Sequence, residues 1–238
     1  MLKVTVDGRI FNIANSIIDI IDEYAKVKTE SFKHFINQCE ELETINKNDK
    51  DRIRSFVLGL LAPNVDARLF EIVSYAILKN YYKEFKIYWG FSPNKLNEDI
   101  LKLYKTGRTN ANDGGIDFVM KPLGRFFQVT ETLDFKKYFL DIEKIERYPI
   151  TFVVKTKENI EVLRKKLHAD AISTYSIESV VSKYMDCIEE LINIPRLTEM
   201  YGIIEKRGEL SEILNEIILQ SRVEFNFDEE DNDEYELL

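Results

Sequence analysis

Five consecutive residues, Ile150-Thr151-Phe152-Val153-Val154, restrict the fold more than any other stretch of the chain. They are β-branched or aromatic and almost continuously apolar, the pattern of a strand covered on both faces. Such a strand needs neighbours in a sheet and helices above and below it. Its surroundings offer both. Residues 126–131 alternate in the manner of a strand, 135–148 read as a charged helix, and 158–167 read as another. Ala171–Tyr175 is predicted as a further strand, after which Ser176 would cap a helix reaching about Ile192, with Glu178 in its first turn. The expected class is therefore α/β: a central mixed β-sheet flanked by helices, with helical additions at the N- and C-terminal ends.

Four regions follow. Residues 1–62 are expected to be helical, with apolar stripes at Ile17, Ile18, Ile20, Ile21 and Tyr24, then at Phe32, Phe35 and Ile36, then at Ile53, Phe56, Val57, Leu60 and Leu61. Pro63-Asn64 breaks the chain, and residues 63–193 form the α/β core. Within the core, Asp66 is placed to cap a helix whose apolar face runs from Leu69 to Tyr81 and carries Glu71 in its midst. Ile87-Tyr88-Trp89 reads as a short strand or a helix end, and Leu96–Tyr104 as a helix. Residues 194–225 are read as two helices, and 226–238 as an acidic, disordered tail. No repeat of 20 to 50 residues is present, which removes solenoids and propellers.

Charge is unevenly spread. The net charge is −9, but residues 224–236 carry eight acids and no base, so the remainder is close to neutral. Residues 75–166 hold 18 Lys or Arg against 12 Asp or Glu, a basic middle suited to a polyanion. No apolar run approaches the roughly 20 residues that span a bilayer, so no membrane partner is expected. The N-terminus has no apolar secretion segment, and Cys39 and Cys187 fit reduced thiols, so a cytoplasmic location is expected. Two Cys and two distant His, His34 and His168, do not supply a structural zinc site or a Ser-His-Asp triad. Gly114-Gly115 is not a phosphate-cradling P-loop, because no Gly-Lys-Ser/Thr follows.

The densest chemistry lies between Gly107 and Glu131. Asp117 falls on a short β-candidate, where aspartate is disfavoured without a reason. A turn at Lys121–Gly124 leads into Phe126-Phe127-Gln128-Val129-Thr130-Glu131, whose period of two puts Gln128 and Thr130 on one face. Asp117, the Gln128 amide oxygen and the Val129 carbonyl are candidate ligands for a hard cation such as Mg²⁺, with Glu71 joining if its helix packs beside the hairpin. A metal there would lower the pKa of a bound water and offset charge on a phosphodiester under attack. The polar loop with Arg108, Asn110 and Asn112 suits phosphate and base-edge contacts, and Lys121, Arg125, Lys136 and Lys137 suit phosphates around the hairpin. An exposed turn and an ordinary solvated surface are the competing readings of those residues.

Gly114-Gly115-Ile116-Asp117, followed eleven positions after the acid by Gln128-Val129-Thr130, resembles the PD-(D/E)xK nuclease superfamily. It is most similar to restriction-endonuclease-like members that read Gly-Gly-x-Asp and then Gln-x-Lys. Glu71, the basic helix after the hairpin and the strand at 150–154 follow that superfamily's element order, and the resemblance covers about residues 66–180. It implies a restriction-endonuclease-like core, Mg²⁺ as cofactor, double-stranded DNA as substrate, and a type II restriction enzyme acting as a homodimer. One position departs: the superfamily's lysine falls at Thr130. Three outcomes are open there. Lys136 or Lys137 reaches back, Thr130 positions a metal-activated water, or the site is silent and the protein binds nucleic acid or serves in an assembly. Action on RNA or on DNA ends is a further alternative.

Overall fold

The computed structural model describes residues 2–44, 50–107 and 116–225. Arg108, Asn110, Asn112, the Gly114-Gly115 pair and the acidic tail lie outside the described residues. Two compact units divide at Ile45/Asn46, so the boundary expected near residue 62 moves toward the N-terminus.

The first unit opens with a hairpin where helix was expected. Strands β1 (Lys3–Val6) and β2 (Arg9–Asn12) pair antiparallel, Val4 opposite Phe11. Asp7 and Gly8 join them with φ of 50° and 74°. Positive φ at both central residues is what a two-residue turn needs to match strand twist, and Asp-Gly supplies it. Asn12 Oδ1 then accepts the Ala14 N–H at 3.3 Å, starting α1 (Ala14–Thr44). The later part of α1 buries Phe35, Ile36, Cys39 and Leu42.

The second unit is mixed α/β. Helix α2 (Lys50–Leu60) precedes α3 (Ala67–Tyr82), whose cap is Asp66, accepting the Arg68 N–H at 3.0 Å as its sequence predicts. Next come β3 (Lys86–Ser92) and β4 (Lys95–Ile100), a separate two-stranded hairpin, then β5 (Lys102–Lys105). The helix expected over Leu96–Tyr104 is thus two strands. Its decisive pattern is the alternation at its end: Leu101 and Leu103 are buried, Lys102 and Tyr104 exposed.

Strands β6 (Phe118–Lys121) and β7 (Arg125–Thr130) follow, then α4 (Phe135–Lys144), β8 (Ile150–Val154), α5 (Ile160–Tyr175), α6 (Glu178–Asp186) and β9 (Ile188–Asn193). The five-stranded sheet has the order β5-β6-β7-β8-β9; β5, β6 and β7 pair antiparallel, whereas β7, β8 and β9 run parallel. All five residues of β8 are buried, as their composition demands. Two expectations fail nearby. Ala171–Tyr175 continues α5 rather than forming a strand, and Ser176 ends that helix at φ 54° instead of capping the next. The segment to Ile192, expected to be helical, is partly β9, because Ile188, Leu191 and Ile192 complete the edge of the buried sheet beside β8.

Helix α3 covers one sheet face: the rings of Tyr75 and Phe118 lie 5.1 Å apart, those of Tyr82 and Phe127 6.3 Å. The other face packs on α4, α5 and α6 through a core that includes Tyr138, Phe139, Ile150, Phe152, Val154 and Leu163. The Tyr138 and Phe152 rings are 4.5 Å apart. Helices α7 (Ile194–Arg207) and α8 (Leu210–Phe225) pack behind α3, so the C-terminal helices belong to the second unit. No helix among the described residues is long and apolar enough to cross a membrane.

Candidate functional site

Asp117 sits just before β6, where the β6–β7 ladder runs out. Its N–H donates to Phe127 O at 3.0 Å and its carbonyl accepts from Thr106 N–H at 3.0 Å, so its backbone is held from both neighbouring strands. The Thr106 hydroxyl also donates to the carbonyls of Ile116 and Asp117, fastening the segment that delivers the acid. The carboxylate then replaces the next rung of the ladder: Oδ2 accepts the Val129 N–H at 2.5 Å. A charged acceptor on a backbone amide makes a short, strong hydrogen bond. This gives a physical reason for an aspartate at a strand start, and it fixes the side chain at the sheet's opening.

The β6–β7 register ends at Phe118↔Phe127, and beyond it Asp117 is bonded through its N–H to Phe127 O and through its carboxylate to Val129 N–H, the residues on either side of Gln128. Gln128 is buried, with its Nε2 donating to Val129 O at 3.3 Å. Its Oε1 is buried with no hydrogen-bond partner among the described residues. A buried carbonyl oxygen left without a donor costs about 1–3 kcal/mol, so a donor or cation from outside the chain, water included, would stabilise it. Thr130, also buried, shares the face; its Oγ1 accepts the Thr132 N–H at 3.3 Å. The expected alternation of Gln128 and Thr130 therefore holds, beneath α4 and the strand neighbours Phe152 and Val154.

Glu71 is placed elsewhere. It is buried on α3, and its carboxylate pairs with Lys105 Nζ at 2.9 Å; the same ammonium lies 3.5 Å from Glu224 on α8. Lys105 is the register partner of Phe118, on the α3 face, whereas Gln128 and Thr130 face α4. Glu71 and Gln128 thus stand on opposite faces of the sheet, and the three-way convergence expected from sequence is not found. Among the described residues no group of three or more His, Cys, Asp or Glu side chains is placed to hold a metal. A cation here would draw on Asp117 and the orphaned Gln128 oxygen, with water filling its remaining positions. Oxygen donors of this kind fit Mg²⁺, which keeps several waters.

The basic residues divide. Lys136 and Lys137 are exposed on the first turn of α4, after the cap Asp134. Lys121 and Arg125 mark the far end of the β6–β7 hairpin, away from Asp117. Lys121 Nζ stands 4.9 Å over the Tyr104 ring. Arg125 is engaged internally: its Nε donates to Thr151 Oγ1 at 3.0 Å, and the guanidinium pairs with Glu190 and, at 3.3 Å, with Glu189. Burial opposes its charge, but Tyr82, Glu190 and Glu189 outweigh that and hold its pKa above the ordinary value. The phosphate contact expected of Arg125 is therefore replaced by a structural ion pair.

Two lysines escaped sequence reasoning. Lys105 forms the buried link between α3 and α8 just described. Lys155 follows β8 directly, and its almost buried ammonium donates to Glu131 and to the Val65 carbonyl, 5.9 Å from the Phe70 ring. It ties the ends of β7 and β8 to the segment before α3. The available signal was a lysine immediately after a five-residue strand that is apolar but for Thr151, at the end of a buried strand where a charge requires a partner. Burial also pushes the Tyr75 phenol up to about 12, so it remains a donor to Leu103 O, 3.1 Å away, and secures β5.

Comparison with models of known protein families, with curated proteins and with solved structures found no match for this chain.

Proposed function

We propose that the chain is a Mg²⁺-dependent endonuclease that hydrolyses phosphodiester bonds of double-stranded DNA, of the type II restriction kind, with a restriction-endonuclease-like core. The observation that supports it lies at the opening of the β6–β7 hairpin, where the Asp117 carboxylate is fixed by a backbone N–H and the buried Gln128 amide oxygen has no donor among the described residues. The helix-strand-strand-strand-helix-strand order of α3, β5, β6, β7, α4 and β8, with the β3–β4 hairpin inserted after α3, fits the reading. Mg²⁺ held there would supply an activated water and offset charge on the scissile phosphate. Asp117 and Gln128 would bind it, while Thr130, with its hydroxyl adjoining, would orient water. Duplex DNA is the proposed substrate and a second copy the proposed partner, one site serving each strand.

The reading is tested on supercoiled, unmethylated plasmid DNA of varied sequence. The wild-type protein with Mg²⁺ is expected to give linear products, and chelation of the metal to stop it. Intact plasmid in the presence of Mg²⁺ would count against a nuclease. A second reading draws on Thr130 in place of lysine and on Glu71 being committed to Lys105. In it the site is silent and the protein binds nucleic acid without cutting. Retained duplex binding with no cleavage selects that reading.

A further inference from the structure

Helix α4 carries a second buried acceptor on the side of the sheet where Gln128 lies. Asp141 is 2% exposed; its Oδ1 accepts from Lys144 Nζ at 3.0 Å, while its Oδ2 is buried with no hydrogen-bond partner among the described residues. An orphaned acceptor costs more when it is charged. Helix geometry places the group. At about 100° per residue, Asp141 and Phe139 lie on opposite flanks of α4. The Phe139 ring stacks on Tyr175 of α5 and Tyr184 of α6, with centroids 5.8 and 4.3 Å away, toward the β9 side. The Asp141 flank is therefore turned toward β7 and β6. Tyr138, three residues earlier on the same helix face, lies over Phe152, the register partner of Gln128. Helical side chains lean toward the N-terminus of their helix, and α4 runs back along β7 before the chain enters the parallel strand β8. The Asp141 carboxylate thus leans toward the level of Gln128.

We propose that Asp141 is a further ligand of the divalent cation assigned to Asp117 and Gln128, its carboxylate entering from α4 in the place expected of Glu71 on α3. It takes one of the positions otherwise left to water. The donor set becomes two carboxylates and one amide oxygen, hard ligands that suit Mg²⁺ or Mn²⁺. One cation answers both orphaned oxygens, which an apolar neighbour cannot do. The sheet is open enough beside α4 to admit it: Phe118 and Met120 are buried on the α3 side, whereas Asp117 and Val119, which alternate with them, are half-buried. The Lys144 ammonium, on a side chain 42% exposed, shares the Asp141 carboxylate and so competes with a cation for it.

The inference rests on the cation site proposed above but not on cleavage. It is tested by titrating the full chain with Mn²⁺ and following the paramagnetic signal of the free ion. Asp141→Asn, which keeps the shape and an oxygen for Lys144, is expected to weaken binding by at least about 10- to 100-fold, the scale on which even outer partners of a metal site act. Lys144→Met is expected to tighten binding several-fold, because a competing charge is removed. A carboxylate that serves only the Lys144 ion pair leaves the Mn²⁺ affinity of a folded Asp141→Asn protein unchanged, and that result overturns the inference. So does a wild-type chain that binds no Mn²⁺. Should Asp141→Asn lose its far-UV circular dichroism, Lys144→Met decides: tighter binding supports the inference, and unchanged or weaker binding overturns it. Mn²⁺ binding that depends on Asp141 in a protein that leaves plasmid intact removes the nuclease reading and keeps this inference. An Asp141→Asn protein that binds Mn²⁺ and cuts like the wild type does the reverse.

Discussion

Asp117→Asn is expected to lower plasmid cleavage by about 10²- to 10³-fold or more, the scale on which loss of one aligned electrostatic group acts in an active site. Asparagine is the informative replacement. Its Oδ1 can still accept the Val129 N–H that Asp117 holds at 2.5 Å, so the hairpin opening keeps its hydrogen bond while the charge is removed. Asp117→Ala would confuse the two roles, because it also strips an acceptor from a backbone amide. Thermal unfolding of the asparagine variant should therefore stay close to wild type while cleavage collapses. A variant that cuts at the wild-type rate would show that the carboxylate serves only the fold.

Lys105→Met is expected to destabilise the second unit by about 3–5 kcal/mol, the range for removing one member of a buried ion pair. The ammonium lies 2.9 Å from Glu71 and 3.5 Å from Glu224, with all three side chains largely shielded from water. Its loss leaves two acids on α3 and α8 without the cation between them. Chemical denaturation measures the effect, and the Lys105→Met/Glu71→Met double variant should recover part of it, since an apolar pair can replace a buried ionic one. A loss below 1 kcal/mol for the single variant would mean that the pair is solvated and contributes little.

Much of the core was legible because its residues admit one environment. Ile150–Val154 cannot face water on either side, and it is buried throughout. Asp66 reads as a cap because its side chain answers an orphan amide, and it does. Gln128 and Thr130 share a face because strand geometry alternates, independent of what packs above them. What escaped depended on distant partners. Ile188–Asn193 has no strong local preference; it becomes a strand because β8 offers an open edge. Leu96–Tyr104 is expected as a helix although Leu101 and Leu103 alternate, and the short run hides the difference. The Val4–Val6 and Ile10–Phe11 segments around Asp7-Gly8 carried a hairpin signal that the helical stripe after them overshadowed.

Glu71 shows the limit most clearly for the site. Its place on an apolar helix face was readable, but which sheet face the helix would cover was not. That choice decides whether its carboxylate meets Gln128 or Lys105, and α3 lies on the Lys105 side. Arg125 illustrates the same point with the opposite charge: a strand-end arginine looks available until Glu189 and Glu190, more than sixty residues later, arrive beside it on β9. Ion pairs between elements far apart in sequence depend on topology, and neither spacing nor composition encodes them locally.

In the proposed site Asp117 and Gln128 would hold a divalent ion to which Glu71 does not contribute. Titration with Mn²⁺ as a paramagnetic stand-in for Mg²⁺, read by the loss of its free signal, tests this without relying on cleavage. The expected result is saturable binding by the wild type, loss of it in Asp117→Asn, weakening in Gln128→Leu, and unchanged binding in Glu71→Gln. Binding that survives Asp117→Asn, or that vanishes in Glu71→Gln while the protein remains folded, would contradict it.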